Sequence, residues 1–165
     1  VYADNDEVVV AHGRALLACT PGVRAVEGEL RYPRELLGRK EVREILDFTR
    51  PVAVLLVAVL HFLGDCESPW QAVSAITRRL APGSYVVVSH VTGDDLPAEA
   101  VDRARDIYAG ALVQGAARRR TEILRFFEGL ELIDPGLVDA AAWPSERAGK
   151  AAGPVLLWAG IGRKP

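Results

Sequence analysis

The chain contains no methionine among its 165 residues, and only two cysteines, Cys19 and Cys66. Two cysteines in unrelated contexts make no disulfide framework and show no zinc-type spacing. They read as free thiols of a reducing compartment, so the cytoplasm is the expected location and no metal site is expected. An excess of charge of one sign is also lacking: 20 basic residues face 22 acidic ones, the formal net charge is -2, and the pI is near 6.0. That balance gives no electrostatic reason to expect nucleic acid or an anionic membrane as partner. The densest basic run, Arg118-Arg119-Arg120, is short and reads as a solvated loop or helix start. Long apolar runs are missing too. The longest candidate, Val52 to Leu60, falls far short of the roughly 20 residues a membrane-spanning helix needs, and nothing in the opening residues reads as a signal peptide. Val1-Tyr2-Ala3 reads as the end of a strand rather than as the start of a reading frame. With methionine absent, the expectation is that further chain precedes it.

What is present is ordinary for a globular domain: half the residues are apolar and a quarter are charged. The length suits one domain, residues 1–165, with a substantial core. After Val1-Tyr2-Ala3, the run Asp4-Asn5-Asp6-Glu7 offers a cap and an acidic first turn. A helix follows with Val8, Ala11, Ala15 and Ala18 at helical spacing, and Thr20-Pro21-Gly22 stops it. Val23 to Leu30 contains a short strand. Pro33 opens a helix with Leu36, Leu37, Val42, Ile45 and Leu46. The unbroken apolar run Val52 to Leu60 suits a strand buried on both faces of a parallel sheet.

Ser68-Pro69 then makes a cap and a first-turn proline for a helix with Val73, Ile76 and Leu80 on one face. Pro82-Gly83 is a turn, and Tyr85 to His90 is a strand. Pro97 opens a helix carrying Val101, Ala104, Ile107, Tyr108 and Leu112, and Thr121 caps a shorter one ending near Gly129. Leu130 to Ile133 and Val155 to Ile161 read as terminal strands. Strands alternating with helices indicate an α/β parallel sheet. Such sheets bind ligands at the carboxyl ends of their strands. The chemistry is therefore expected just after Ala3, Val26, Leu60 and His90.

Three of these positions carry side chains suited to a nucleotide-bearing ligand. Asp4 can accept two hydrogen bonds from ribose hydroxyls, or it can cap the helix, a role that Asn5 or Asp6 could fill instead. Glu29 can accept from an adenine amino group, or pair with Arg31 on the surface. His61, after the all-apolar strand, can act as a general base if neutral, or can simply pack at the strand end. His90 is a weaker version of the same signal, and His12 reads as a structural or exposed helix residue.

Val1-Tyr2-Ala3-Asp4-Asn5-Asp6, Glu29-Leu30-Arg31, Pro51 to Phe62, Leu80-Ala81-Pro82-Gly83-Ser84-Tyr85 and Gly129-Leu130-Glu131-Leu132 occur in this order. Together they resemble class I S-adenosylmethionine (SAM) dependent methyltransferases, and most of all the actinobacterial S-adenosyl methyltransferase family. The resemblance runs nearly to the C-terminus, through Pro154 to Lys164. It implies a Rossmann-like sheet, mostly parallel, with a C-terminal antiparallel hairpin spanning Leu130 to Ile161. The family's first strand and glycine-rich loop have no counterpart here. It implies SAM as cofactor and methyl transfer to an acceptor, expected to be a small molecule. By position, Asp4 would bind the ribose with Asn5 beside it. Glu29 would meet the adenine amino group where the family commonly has aspartate, and Leu30 would flank the ring. Ala58 to His61, including Leu60, would border the methionine part and the methyl group. With the central strand absent, unpaired backbone is costly, so the chain alone is expected to bind SAM poorly.

Two other readings stay open at this stage. A nicotinamide-dependent oxidoreductase shares the strand-end acid, but its sheet would continue as parallel units rather than end in a hairpin. A catalytically inactive relative would keep the fold without turnover. Arg103, Tyr108 and Trp143 are pocket candidates, with core or surface roles as the alternative.

Overall fold

The computed structural model describes residues 1–17, 19–95, 97, 99, 116–143 and 155–165. Two parallel strand pairs form its framework. β1 (Tyr2–Asp4) and β2 (Ala25–Glu27) pair in parallel, with Asp4 opposite Glu27, and are joined by α1 (Glu7–Leu17). β3 (Ala53–Val57) and β4 (Tyr85–Val91) pair in parallel and are joined by α4 (Pro69–Arg79). Between the two pairs lie the short helices α2 (Pro33–Gly38) and α3 (Lys40–Arg43). The single helix read from Pro33 onward is thus broken after Gly38, a residue poor in helix propensity.

The C-terminal part reverses direction. α5 (Arg120–Leu124) leads into a 3-10 turn at Arg125–Phe127 and then β5 (Glu131–Leu132), β6 (Val138–Asp139) and β7 (Leu157–Arg163). β7 runs antiparallel to β4, β5 and β6, which gives the sheet order β3-β4-β7-β5 with β6 also on β7. Close packing sets this strand's composition. A Cβ at Gly162 would meet side-chain carbons of Leu130 and Phe127 at 2.8–2.9 Å. Lys164, just past β7, donates from Nζ to the carbonyls of Thr77 and Leu80 at 2.9 and 2.6 Å. It thereby satisfies the open C-terminus of α4, where a cation also suits the helix dipole.

The core joins Val26 of β2 to Leu56, Val73, Val86, Val88, Ile123, Phe126 and Phe127. Two expectations about burial fail. β3 is not buried on both faces: Leu55 is 65 % exposed and Val57 54 %. Among the described residues β3 pairs only with β4, and β1 only with β2, so each is a sheet edge. An apolar run suited to a central strand therefore lies at an edge. In α1 the buried residue is Val10, whereas Val8, Ala11 and Ala15 face solvent. The helix rotates its small Gly13 onto the strand, where a Cβ would stand 3.0 Å from that of Ala25. Of the helix expected from Pro97, all but residues 97 and 99, and so Arg103 and Tyr108, lies outside the described residues.

Candidate active site

The carboxyl ends of β1, β2, β3 and β4 carry the candidate residues, and they divide into two groups. At the end of β1, Asp4 Oδ1 accepts from the Asp6 backbone N–H at 2.9 Å. Its Oδ2 has no hydrogen-bond partner among the described residues. The helix cap is Asp6, whose Oδ1 accepts from Val8 N–H at 2.7 Å and Val9 N–H at 3.4 Å. Capping therefore leaves Asp4 available as an acceptor. Asn5 donates to Glu29 Oε2 at 3.1 Å.

Glu29, after β2, also pairs with Arg31: Nη1 reaches Oε2 at 2.8 Å and the Arg31 N–H reaches Oε1 at 3.1 Å. Partial burial raises its pKa, but the Arg31 N–H, the Asn5 amide and the Arg31 charge outweigh that and hold the carboxyl below its usual range. A carboxylate has about four lone-pair sites. With these three bonds made, roughly one stays open. Arg31 in turn donates to Glu67, whose other oxygen accepts from Gly64 N–H at 2.7 Å, tying β2 to the turn after β3. Leu30 packs against the hydrophobic core. The groove along Asn5, Gly28, Glu29, Tyr32 and Leu36 measures about 90 Å³, well below the roughly 300–1,000 Å³ of a complete small-ligand pocket. A larger groove of about 340 Å³ lies elsewhere, among α2, α3 and α4.

The second group follows β3 and β4. Ala58 leaves β3 with φ of 52°, a left-handed conformation unusual for a residue with a Cβ. Its N–H is held by Ser89, through Oγ at 3.0 Å and the carbonyl at 3.3 Å. Leu60 is fully buried and belongs to the core, and its carbonyl accepts from the Leu63 N–H at 3.2 Å. His61 is 8 % exposed, and its Nδ1 is buried with no hydrogen-bond partner among the described residues. Burial, then the nearby Arg118 charge, push its pKa down, so the ring is neutral at pH 7. His90 is fully buried, with its ring 5.6 Å from that of His61. Nδ1 lies 2.7 Å from the Val91 carbonyl and Nε2 lies 2.9 Å from Arg118 Nη1. Those partners assign the proton to Nδ1. Burial lowers the His90 pKa to about 4; the Val91 bond opposes this and Arg118 adds to it.

Arg118 corrects the sequence reading. It was expected to be solvated, yet it is 2 % exposed and at the centre of the second group. Arg119 and Arg120 are exposed and do form the start of α5. Nothing local separates the first arginine of the run from its neighbours. Its partners Leu60, Leu63 and Asp65 lie more than fifty residues away in sequence. Ser89 and Trp70, which also organise this edge, were likewise not singled out. His12 is exposed on α1, with Nδ1 2.8 Å from the Val8 carbonyl, and takes no part.

Acids thus follow one parallel strand pair and imidazoles the other, all at the carboxyl ends of strands, where open α/β sheets bind their ligands. The chain belongs to the S-adenosyl methyltransferase family, whose model matches residues 1–165. A DUF574-family protein from Streptomyces avermitilis is 34 % identical, with a TM-score of 0.87 over 99 % of this chain and 64 % of that one. A Thermobifida fusca protein, provisionally assigned as a methyltransferase, is 36 % identical, with a TM-score of 0.89 over 99 % and 62 %. This chain thus spans somewhat under two thirds of their length. The N-methyltransferase NodS from Bradyrhizobium japonicum, solved with S-adenosylhomocysteine (SAH), shares the fold at 14 % identity and a TM-score of 0.58, over 99 % and 65 %. No curated protein matches the chain. The antiparallel β7 agrees with the expected C-terminal hairpin and not with a dinucleotide oxidoreductase. Among the described residues no helix is long and apolar enough to cross a membrane, and no group of three potential ligands could hold a metal ion.

Proposed function

We propose that the protein containing these residues transfers a methyl group from SAM to a small-molecule acceptor, with the cofactor at the carboxyl edge of β1 and β2 and the acceptor toward β3 and β4. The observation that carries this reading is the Oδ2 of Asp4 at the end of β1, which has no hydrogen-bond partner among the described residues, in a chain of this family. The residues fit the cofactor. Asp4 accepts from ribose hydroxyls with Asn5 beside it, Glu29 offers its remaining lone pair to the adenine amino group, and Leu30 flanks the ring. Ala58, exposed in its left-handed turn, and the segment leading to Leu60 would border the methionine part.

The cofactor supplies an activated methyl group on its sulfonium. The protein aligns the acceptor with it, and alignment alone can be worth roughly 7–11 kcal/mol. His61 is the base. A buried ring nitrogen without a partner costs about 1–3 kcal/mol, and an acceptor hydroxyl or amine donating to Nδ1 relieves that cost while losing its proton.

We further propose that residues 1–165 form one incomplete domain, and that a strand from outside them lies between β1 and β3. The two unpartnered edges and the share of the relatives that the chain spans support this. The exposed thiols of Cys19 and Cys66 fit a reducing cytoplasm, and the near balance of charge gives no basis for a nucleic-acid partner. Calorimetric titration with SAH tests the reading: the whole protein binds and the 165-residue chain binds poorly. Micromolar binding by the short chain would overturn the incomplete-site proposal, and no binding by the whole protein would overturn the cofactor.

A further inference from the structure

Arg118 uses every donor it has. A guanidinium carries five N–H groups. Nε and Nη2 reach Asp65 Oδ1 at 3.1 and 2.7 Å, and Nη2 also reaches the Leu63 carbonyl at 2.6 Å. Nη1 reaches the Leu60 carbonyl at 3.1 Å and His90 Nε2 at 2.9 Å. Aromatic faces enclose the charge, with Trp70 and Phe126 centred 5.0 and 5.8 Å from Cζ. Phe126 also stacks on His90 at 5.8 Å. With no spare donor and almost no exposure, this arginine is not placed to bind a substrate.

Its partners show what it does instead. Leu60 and Leu63 bracket His61 in the turn that leaves β3, and His90 is the penultimate residue of β4. Asp65 is 66 % exposed, and an exposed carboxylate is a weak anchor. The specific contacts are the two carbonyls and the imidazole. A buried guanidinium is tolerated only when its donors are paired. The pairing is complete only with the turn and the end of β4 in this relative position.

We infer that Arg118 is the positioning residue of the acceptor edge. It locks the Leu60–Asp65 turn to the end of β4, holds the His61 ring in place, and keeps His90 in the single tautomer that accepts from it. The inference rests on reading this edge as the acceptor side, and it does not require His61 to be the base. The charged or titratable groups around the pair are His61, His90, Arg118 and Asp65; the Phe62, Trp70 and Phe126 rings that complete the surroundings are uncharged.

Nitrogen-15 NMR of the whole protein with labelled histidine tests this in the wild type and in Arg118→Met, Arg118→Lys and Asp65→Asn. In the wild type, His90 shows one neutral tautomer with the proton on Nδ1 from neutral pH to below pH 6. In Arg118→Met, that signature gives way to mixed tautomers, and both histidines titrate higher, by about one unit. Arg118→Lys restores the Nδ1–H signature in part, because an ammonium still donates to Nε2. Asp65→Asn keeps it, because the carbonyl and imidazole contacts remain. Unchanged His90 tautomer and His61 titration in Arg118→Met would overturn the inference. If that variant does not fold, loss of the signature in Asp65→Asn, or no change at either histidine in Arg118→Lys, overturns it. The cofactor reading fails separately, if the wild type does not bind SAH; the histidine signals still decide the role of Arg118.

Discussion

The β1–β2 unit and the β3–β4–β7 sheet carry the two halves of one proposed site, and they are built very differently. In β1 no residue is buried, and only Val10 of α1 is. In the larger sheet Val86, Val88 and His90 of β4 are wholly buried and Ile123, Phe126 and Arg118 close over them. The acids that would grip the cofactor's ribose and adenine thus sit on a thin, edge-exposed unit, held to the rest by Val26 and the Arg31–Glu67 pair. The groups that would face the acceptor sit in a dense cluster, hydrogen-bonded around Arg118 and His90, in which His61 Nδ1 alone is buried without a partner among the described residues. Methyl transfer depends on geometry at the acceptor side, which favours rigidity there. Cofactor binding tolerates assembly from separate elements, each supplying a few hydrogen bonds.

Several measurements would break or sharpen that contrast. The largest effect is expected at the acceptor side: His61→Ala in the whole protein lowers turnover by about 10²–10⁴-fold, the usual contribution of a general base, while SAH affinity measured by calorimetry changes little. Unchanged turnover would return His61 to a packing role. Packing density predicts the next effect. Phe126→Ala costs about 3–5 kcal/mol in denaturant unfolding, as other large core truncations do, whereas Val10→Ala in α1 costs about 1–2 kcal/mol. Equal costs would remove the distinction between the units.

Acid should act on the dense side as well. An unfolded histidine takes up a proton near pH 6.5, but folded His90 resists until about pH 4. The unfolded state binds more protons within that window, so stability falls as pH drops from about 6.5 to about 4. The size is roughly 3 kcal/mol at about 1.4 kcal/mol per pH unit. His90→Gln, followed by unfolding at several pH values, should flatten that slope. The smallest effect belongs to the thin unit. Glu29→Gln breaks an ion pair that is about a third exposed, so stability changes by less than about 1 kcal/mol. A fall of 3 kcal/mol there would mean that the Glu29–Arg31–Glu67 chain, and not the core, holds the unit in place.

How legible the molecule was in its sequence differs between the same two regions. The order of strands and helices followed from periodicity and from Pro and Gly punctuation, and the strand-end positions of Asp4, Glu29 and His61 followed with it. The capping role went to Asp6, as the spare acids in that run allowed. Burial was less legible. Val52 to Leu60 has the composition of a central strand, but composition does not reveal which strands flank it, and β3 is an edge here. Val8, Ala11 and Ala15 fit a helical stripe as well as Val10 and Gly13 do; close approach to Ala25 decides between them. Arg118 was illegible, because the carbonyls, carboxylate and imidazole that take its hydrogen bonds are all distant in sequence.

Asp4 is where the proposed function stands or falls. Calorimetric titration of SAH into the whole protein, wild type against Asp4→Ala, reads it directly. Loss of charged hydrogen bonds worth about 1.5–3 kcal/mol predicts binding weaker by roughly 10–100-fold with the unfolding midpoint nearly unchanged. Equal affinity in the two proteins would contradict the assignment of the β1 edge as the ribose site.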